Sequence, residues 1–518
     1  MRVSEIALSC NCFLKSFDMK KKYTLAVITI LLCSLQSFSQ NGTRLIGFDA
    51  KTTGRGGTST GFFDNPSLMM NNPAGLSFLK SGEIDLSISL MAPAVHFKNS
   101  INNTDGKDNI FPMGCLSYAH TPFRNLTYAA GIFTQGGMGA DFNLNHDLFK
   151  DQSGNYVQQT YHSKFAVMQA GASFAYRLTN QLSIGATANL VYGQVEFRMP
   201  MAMPPSMLKG IIDPQSGYTF GDMFSASPET NGLGYSELVA AANMKGLTAY
   251  GFNGKIGFAF KPNEKFSGGI NYSLPVSMKY KNGKAKMDMS YQMNDAFGRV
   301  VAGIMQQDPN MSPEQAQQAA MNQFAQLGID LTKGAADNYK ARAAFGLPQS
   351  FSTGLFFAAS KKIRLALDAE WINWKNAFDN MDISLTNGTN QNINRVTGAT
   401  GNLEMAFPLK WKNTIVIRSG GEFDITKKLT FRCGYVYGSN PVPGSTVFPV
   451  FPAVVKHHIT LGSTVRLRRS LDINLAYEYA FRNDETCNET SLIANEYNNS
   501  TSSLKNNIFH ASVSWYVR

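Results

Sequence analysis

The twelve residues 471-LDINLAYEYAFR-482 alternate without a break. Leu471, Ile473, Leu475, Tyr477, Tyr479 and Phe481 fall on one side, and Asp472, Asn474, Ala476, Glu478, Ala480 and Arg482 on the other. Period two sends successive side chains to opposite faces of a strand. An all-β protein can use such a strand in two ways. A soluble sandwich buries the apolar face in a core, whereas an outer-membrane barrel turns it towards acyl chains and keeps the polar face inside.

The pattern recurs at 83-EIDLSISL-90, 363-IRLALDAEW-371, 429-LTFRCGYVY-437, from Ile459 to Leu467 and at 507-NIFHASVSWYV-517. These runs are long enough to cross a bilayer at a tilt. Their polar faces carry Arg364, Asp368, Glu370, Asp472 and Glu478, which suits a hydrated or ion-paired lumen. The chain also finishes on an aromatic-containing alternating strand, although Arg518 and not an aromatic residue stands last. The reading is therefore all-β, a transmembrane antiparallel barrel. Composition agrees. Charged residues make up 16% of the 518, Gly numbers 45 and aromatics reach 12%, against about 25% charged residues in an average soluble domain. Mean hydropathy is −0.17, and after Gln40 no run of 18 apolar residues suggests a spanning helix.

Met19-Lys20-Lys21-Lys22, the apolar block from Tyr23 to Leu35 and Ser37-Phe38-Ser39 before Gln40 have the three parts of a secretory signal. Residues 1–39 are thus expected to be leader and signal peptide, with Met19 as the true start. A lipoprotein reading through Cys33 is disfavoured by the bulky Leu32. The formal charge of +11 includes +3 from Arg2, Lys15, Lys20, Lys21 and Lys22 against Glu5 and Asp18. The remaining basic residues are scattered, with no run denser than Arg466-Leu467-Arg468-Arg469, so no nucleic-acid footprint is read. Lipopolysaccharide and anionic ligands would feel that field. Cys115, Cys433 and Cys487 are too far apart for a disulfide framework or metal site. No cofactor is called for.

"RLTNQ" and "DITKK" read as tight turns. Roughly 198–251 and 294–346 read as long loops. The first carries Met201, Met203 and Met207, expected either to be exposed and to catch apolar ligands with their flexible side chains or to pack loop against loop. The second holds a helix signature, with Ser312 as N-cap, Pro313 at the first helical position, Gln315 closing a capping box and Gly328 ending the helix. Short turns on one rim and long loops on the other are usual in barrels.

Five segments, taken in order, resemble the outer-membrane long-chain fatty acid and hydrocarbon transporters of the FadL/TodX type. They are "GRGGTSTGFFDNPSLMMNNPAGLS", "FAYRLTNQLSIGATANLVYG", "FGLPQSFSTGL" with "WINWKNAF", and "FRCGYVYGSNPVPGSTVFPVFPAVVKHHITLG" with its Pro441-Val442-Pro443, Phe448-Pro449 and His458. The resemblance implies a barrel of about fourteen strands over residues 82–518, plugged by an amino-terminal hatch over 40–81. It also implies a gate at Asn72, Pro73, Ala74 and Gly75, ligand contact at Leu45, Ile46 and Phe48, and sideways exit where the third strand kinks inward. Gly136, Gly137 and Gly139 break the alternation in the matching segment. A monomer in the outer membrane of a Gram-negative bacterium follows, passing fatty acids or hydrocarbons passively. Some proteins resembling this family serve protein secretion as binding partners, and the sequence leaves that alternative open. No Gly-x-Ser-x-Gly, His-Glu-x-x-His or nucleotide loop is present, so no enzyme is read.

Overall fold

The computed structural model describes residues 42–123, 125–228 and 232–517. The expected signal peptide lies outside them. Fourteen staves form one antiparallel ring. In chain order they are β1 Gly82–Lys98, β2 Phe111–Phe123, β3 Leu126–Leu144, β4 Gln159–Arg177, β5 Leu182–Met203 and β6 Leu238–Phe260. Four staves come in two segments each: β7 (Phe266–Ser273, Val276–Asp288), β8 (Ala336–Leu347, Ser350–Ala358), β9 (Ile363–Ile372, Asn380–Thr386) and β10 (Leu403–Pro408, Thr414–Asp424). The last are β11 Leu429–Gly438, β12 His457–Arg468, β13 Leu471–Thr486 and β14 Thr501–Val517. The ring closes where β1 pairs with β14, from Gly82 opposite Val517 to Lys98 opposite Thr501.

The interruptions in β7 and β8 fall at Pro275 and Pro348, which have no N–H to give a ladder. In β9 the short helix Trp374–Ala377, here α1, intervenes.

The faces are inverted relative to a soluble protein. On β1, Leu86 and Ile88 are 50% and 57% exposed, while the residues before them, Asp85 and Ser87, are each 1% exposed. β13 and β14 repeat this, with Leu475, Phe509 and Trp515 outside and Asn474, Glu478, His510 and Ser514 inside. Burying polar side chains behind an apolar exterior is stable only if lipid covers the outside and the interior polar groups find partners.

Both tight turns are present, joining β4 to β5 and β10 to β11. Ser312 caps a helix over Pro313–Gln326 (α3) through a reciprocal capping box with Gln315, and Gly328 follows it at φ +80°. A second helix, Ser290–Gln307 (α2), precedes it and carries no side-chain N-cap bond. The strands flanking the first long loop run further than the sequence suggested, leaving 204–237, while the second runs from 289 to 335, earlier at both ends than expected. The cause lies in cross-strand pairing: Met199 to Met203 continue the ladder with Ala242 to Leu238.

Candidate functional site

Residues 42–81 lie inside the ring, held by side chains that point inward from the staves. Arg55 is fully buried and grips Asp64 with two bonds of 2.6 and 2.7 Å, and Glu422 of β10 at 3.0 Å. Glu422 is also bound by Arg364 and Arg432. Lys51 meets Glu83 at 2.7 Å. Asp368 of β9 accepts from the backbone N–H groups of Ser59 and Thr60, both at 2.8 Å. Charged staves and a charged hatch thus neutralise each other, and Lys51, Asp64, Glu83 and Glu422 also line a cavity of about 1670 Å³.

The Asn-Pro-Ala segment is a keyed fit. Asn72 is fully buried and caps the 3-10 turn Pro73–Phe78 by accepting from Ala74 N. Its Nδ2 donates to Thr60 O at 2.9 Å and to Phe258 O of β6 at 3.1 Å. Ser183 of β5 donates to Ala74 O at 2.7 Å. The stave facing Asn72 must lack a side chain: a Cβ on Gly269 would stand 2.2 Å from both Asn72 Nδ2 and Thr60 O.

The start of the hatch meets β3. Arg44 bridges to Gly136, Gly137 N donates to Thr43 O at 3.1 Å, and a Cβ on Gly136 would fall 2.0 Å from Thr43 O. Gln135 is an extra residue here. The register of β3 against β4 shifts between Thr134 and Gly136, so the inward face passes from Ala129 and Phe133 to Ala140 and Phe142. On its other side β3 pairs with β2 only from Leu126 to Phe133, the last partner being Cys115. Above that level β2 is laddered to β1 alone, up to Phe111. The ring therefore has a seam between β2 and β3, and the Phe111 ring lies against Gly139 within it.

Behind the bulge sits a small polar cavity of about 20 Å³, bounded by Arg44, Gln135, Gln169, Lys255 and Ser350. Lys255 of β6 is 4% exposed and its ammonium donates to Ser273 at 2.8 Å. No carboxylate pairs with it among the described residues, whereas Arg44 and Arg418 share Glu370. Gln135 Oε1 and Gln169 Oε1 are buried without hydrogen-bond partners among the described residues.

Towards the long-loop end the lumen turns apolar. Trp374, Phe378 and Trp411 pack together with ring centroids 4.5 to 5.2 Å apart. A second small cavity of about 20 Å³ lies among Phe165, Phe197, Phe345, Phe407, Phe448 and Phe451. Phe448 and Phe451 come from the loop between β11 and β12, which folds inward. The sequence carried a signal for this: 447-VFPVFPAVV-455 is too rich in proline for a strand and too apolar for a loop in water. The loops above interlock, with Gly210 N on Val396 O and Asn495 N on Glu237. Glu496, in the loop between β13 and β14, keeps its carboxyl group buried, accepts from Tyr161 at 2.7 Å and lies beside the Tyr497 hydroxyl. Burial, helped by the nearby Glu237 and Asp147, pushes its pKa up to about 8 despite the Tyr161 bond.

Of the expected site residues, Asn72 to Gly75 lie buried against β5, β6 and β7, and Gly136, Gly137 and Gly139 line the bulge and seam. Leu45 is half-buried beside Gln135. Ile46 joins the upper core, while Phe48 packs edge-on to Phe133 in a separate lower cluster, so the three do not line one surface. The methionines require a correction. Met201 and Met203 are buried, not exposed, and Met207 is half-buried against the same core. Met201 and Met203 belong to the inward face of β5, which the extended ladder carries up beneath the loops, and Met207 follows in a 3-10 turn.

The family model described as "Outer membrane protein transport protein (OMPP1/FadL/TodX)" matches residues 32–515. The chain belongs to this family.

Outer membrane protein P1 of Haemophilus influenzae is 20% identical over 94% of this chain and 98% of its own length. A 111-residue stretch is 31% identical to an uncharacterized Chlorobium limicola protein, of which it spans 54%. The Pseudomonas putida toluene transporter TodX superposes with a TM-score of 0.64 at 18% identity, covering 92% of this chain and 99% of that one. A Pseudomonas aeruginosa FadL homologue gives 0.65 at 15%, over 92% and 100%. As an OMPP1/FadL/TodX member the protein resides in the outer membrane of a Gram-negative bacterium and serves in the transport of hydrophobic compounds. In outer-membrane barrels the short-turn end faces the periplasm and the long-loop end the exterior.

Proposed function

We propose that this barrel takes up long-chain fatty acids or similar amphiphiles by passive diffusion. They are captured beneath the extracellular loops, gated by the hatch at Asn72 to Gly75, and released sideways into the membrane at Gly136, Gly137 and Gly139. The observation that carries the reading is a coincidence of position. The β2–β3 ladder stops at Cys115 and Phe133, and the hatch start docks on β3 two residues further on, at Gln135 to Gly137.

Energetics favour a lateral exit. A tail of about fourteen methylenes gains up to ~11 kcal/mol on leaving water, so a ligand held by apolar contact leaves readily only into another apolar phase. The bilayer is that phase, and no energy source is needed. The buried Met201 and Met203 and the aromatic rings around Phe448 supply the adaptable upper surface. Leu45 and Ile46 would meet the ligand as the hatch shifts, and Phe48 would follow when its packing on Phe133 loosens. Lys255, buried beside the bulge without a carboxylate partner, is our choice for the group that holds a ligand's own carboxylate.

A cysteine pair replacing Gly114 and Thr134, whose N–H and Oγ1 are 3.2 Å apart across the seam, tests the exit. The background carries Ala at Cys115, Cys433 and Cys487. Oxidation should abolish fatty-acid uptake and reduction restore it. Equal uptake in both states would eliminate lateral release.

A further inference from the structure

The periplasmic turns share one backbone design but not one charge. In four of them a side-chain oxygen accepts from the backbone N–H groups two and three residues on. Thr179 does so for Gln181 and Leu182, Asn263 for Lys265 and Phe266, Ser360 for Lys362 and Ile363, and Thr426 for Lys428 and Leu429. These bonds hold the turn whatever side chains occupy the two positions after the capping residue. Those positions read Asn180-Gln181, Glu264-Lys265, Lys361-Lys362 and Lys427-Lys428, and the β12–β13 turn carries Arg468-Arg469. Turn chemistry therefore does not explain why the doubly basic turns are neighbours.

Neighbours they are. The three lie side by side under β8 to β13, stitched by Asp424 N on Lys362 O at 2.9 Å and Arg466 N on Lys428 O at 2.8 Å. Lys361, Lys362, Lys427, Lys428, Arg468 and Arg469 are all exposed, and none forms an ion pair among the described residues. The adjacent acids are already engaged, Asp424 by Arg364 and Asp472 by Arg466. Packing six unneutralised cations into one arc costs repulsion that mixed charges would avoid. Directly above the arc the outer wall is apolar, with Ile363, Leu365, Leu429, Phe431 and Leu467 all exposed.

We infer that this arc binds the head groups of anionic phospholipids in the periplasmic leaflet. A lipid whose tails lie along Leu365, Phe431 and Leu467 brings its phosphate to the height of the lysines. Phosphatidylglycerol and cardiolipin carry no cation of their own and gain from each lysine, whereas phosphatidylethanolamine is already neutralised. Free phosphate shares the charge but not the wall contact. The arc stands on the opposite side of the ring from the β2–β3 seam, so lipids held there would tether one flank and leave the other to the exit.

The test uses the full-length protein in mixed micelles holding equal phosphatidylglycerol and phosphatidylethanolamine, with bound lipid read by native mass spectrometry. The wild type should retain the anionic lipid about fivefold or more over the zwitterionic one, and rising salt should erode that preference. K361Q/K362Q/K427Q/K428Q should lose the preference. K80Q/K265Q, elsewhere on the same rim, should keep it. Resistance to cold detergent denaturation reports that each barrel is closed. The inference falls if the quadruple variant, shown closed, keeps the preference, or if the control variant loses it equally. It also falls if inorganic phosphate strips the lipid better than chloride at matched ionic strength, which would mark a site for free anions.

Discussion

Replacing Asn72 by alanine should loosen the hatch while leaving the ring intact. The side chain makes three hydrogen bonds, to Thr60 O, Phe258 O and Ala74 N, at 2.9, 3.1 and 3.2 Å. A neutral bond contributes about 1 kcal/mol net, and a buried partner left unmade costs more, so the loss is roughly 2–4 kcal/mol. That changes the docked-to-undocked ratio by about 30- to 1,000-fold. The perturbation is local, because the far end of the hatch keeps Arg55 on Glu422 and the Ser59 and Thr60 amides on Asp368. The barrel ladder involves no Asn72 side-chain bond except the one to Phe258 O. Hydrogen exchange over residues 60–79 should therefore quicken, with the amides of Gly75 and Leu79 most affected since they close the 3-10 turn. Labelled-oleate uptake by cells carrying the variant should fall, and the same holds when Pro73 is replaced as well. Detergent-resistant barrel should still form in normal amount. If exchange quickens and uptake is unchanged, the hatch is not the gate; if neither changes, the account of what holds it is wrong.

Arg55→Met should release Asp64 and leave Glu422 with two of its three arginines, costing about 3–5 kcal/mol of hatch seating; bilayer recordings should then show ion leak absent from the wild type. Lys255→Met should depress uptake of a fatty acid severalfold while sparing a neutral hydrocarbon of equal length, and equal loss of both would remove Lys255 from the carboxylate role. For Glu496 the sign runs against alkali. A carboxyl raised to about 8 in the fold from an ordinary value near 4.5 keeps its proton where the unfolded chain has lost it. Its contribution is whole below about pH 4.5 and is lost as pH rises to 8. Proteolysis of the loop at 487–500 should accelerate across that window, and Glu496→Gln should flatten the dependence.

What could be read from the chain alone was whatever is local in a strand. Period two, and the choice of which parity is apolar, are properties of neighbouring residues, so 471–482 or 83–90 display both the strand and its lipid face without reference to anything distant. The cap at Ser312 was legible for the same reason. The meeting of Arg55 with Glu422, 367 residues apart, was not. Nor was the pairing of Asn72 with a bare Gly269, the isolation of Lys255, or the inward fold of Val447 to Val455. Met201 and Met203 show why: their sequence neighbourhood is that of a loop, and only the ladder with β6 carries them inward. Closing a ring brings together side chains whose separation along the chain encodes nothing about their separation across a lumen. The wall was therefore written in the sequence, and its stopper, seam and chambers were decided by closure.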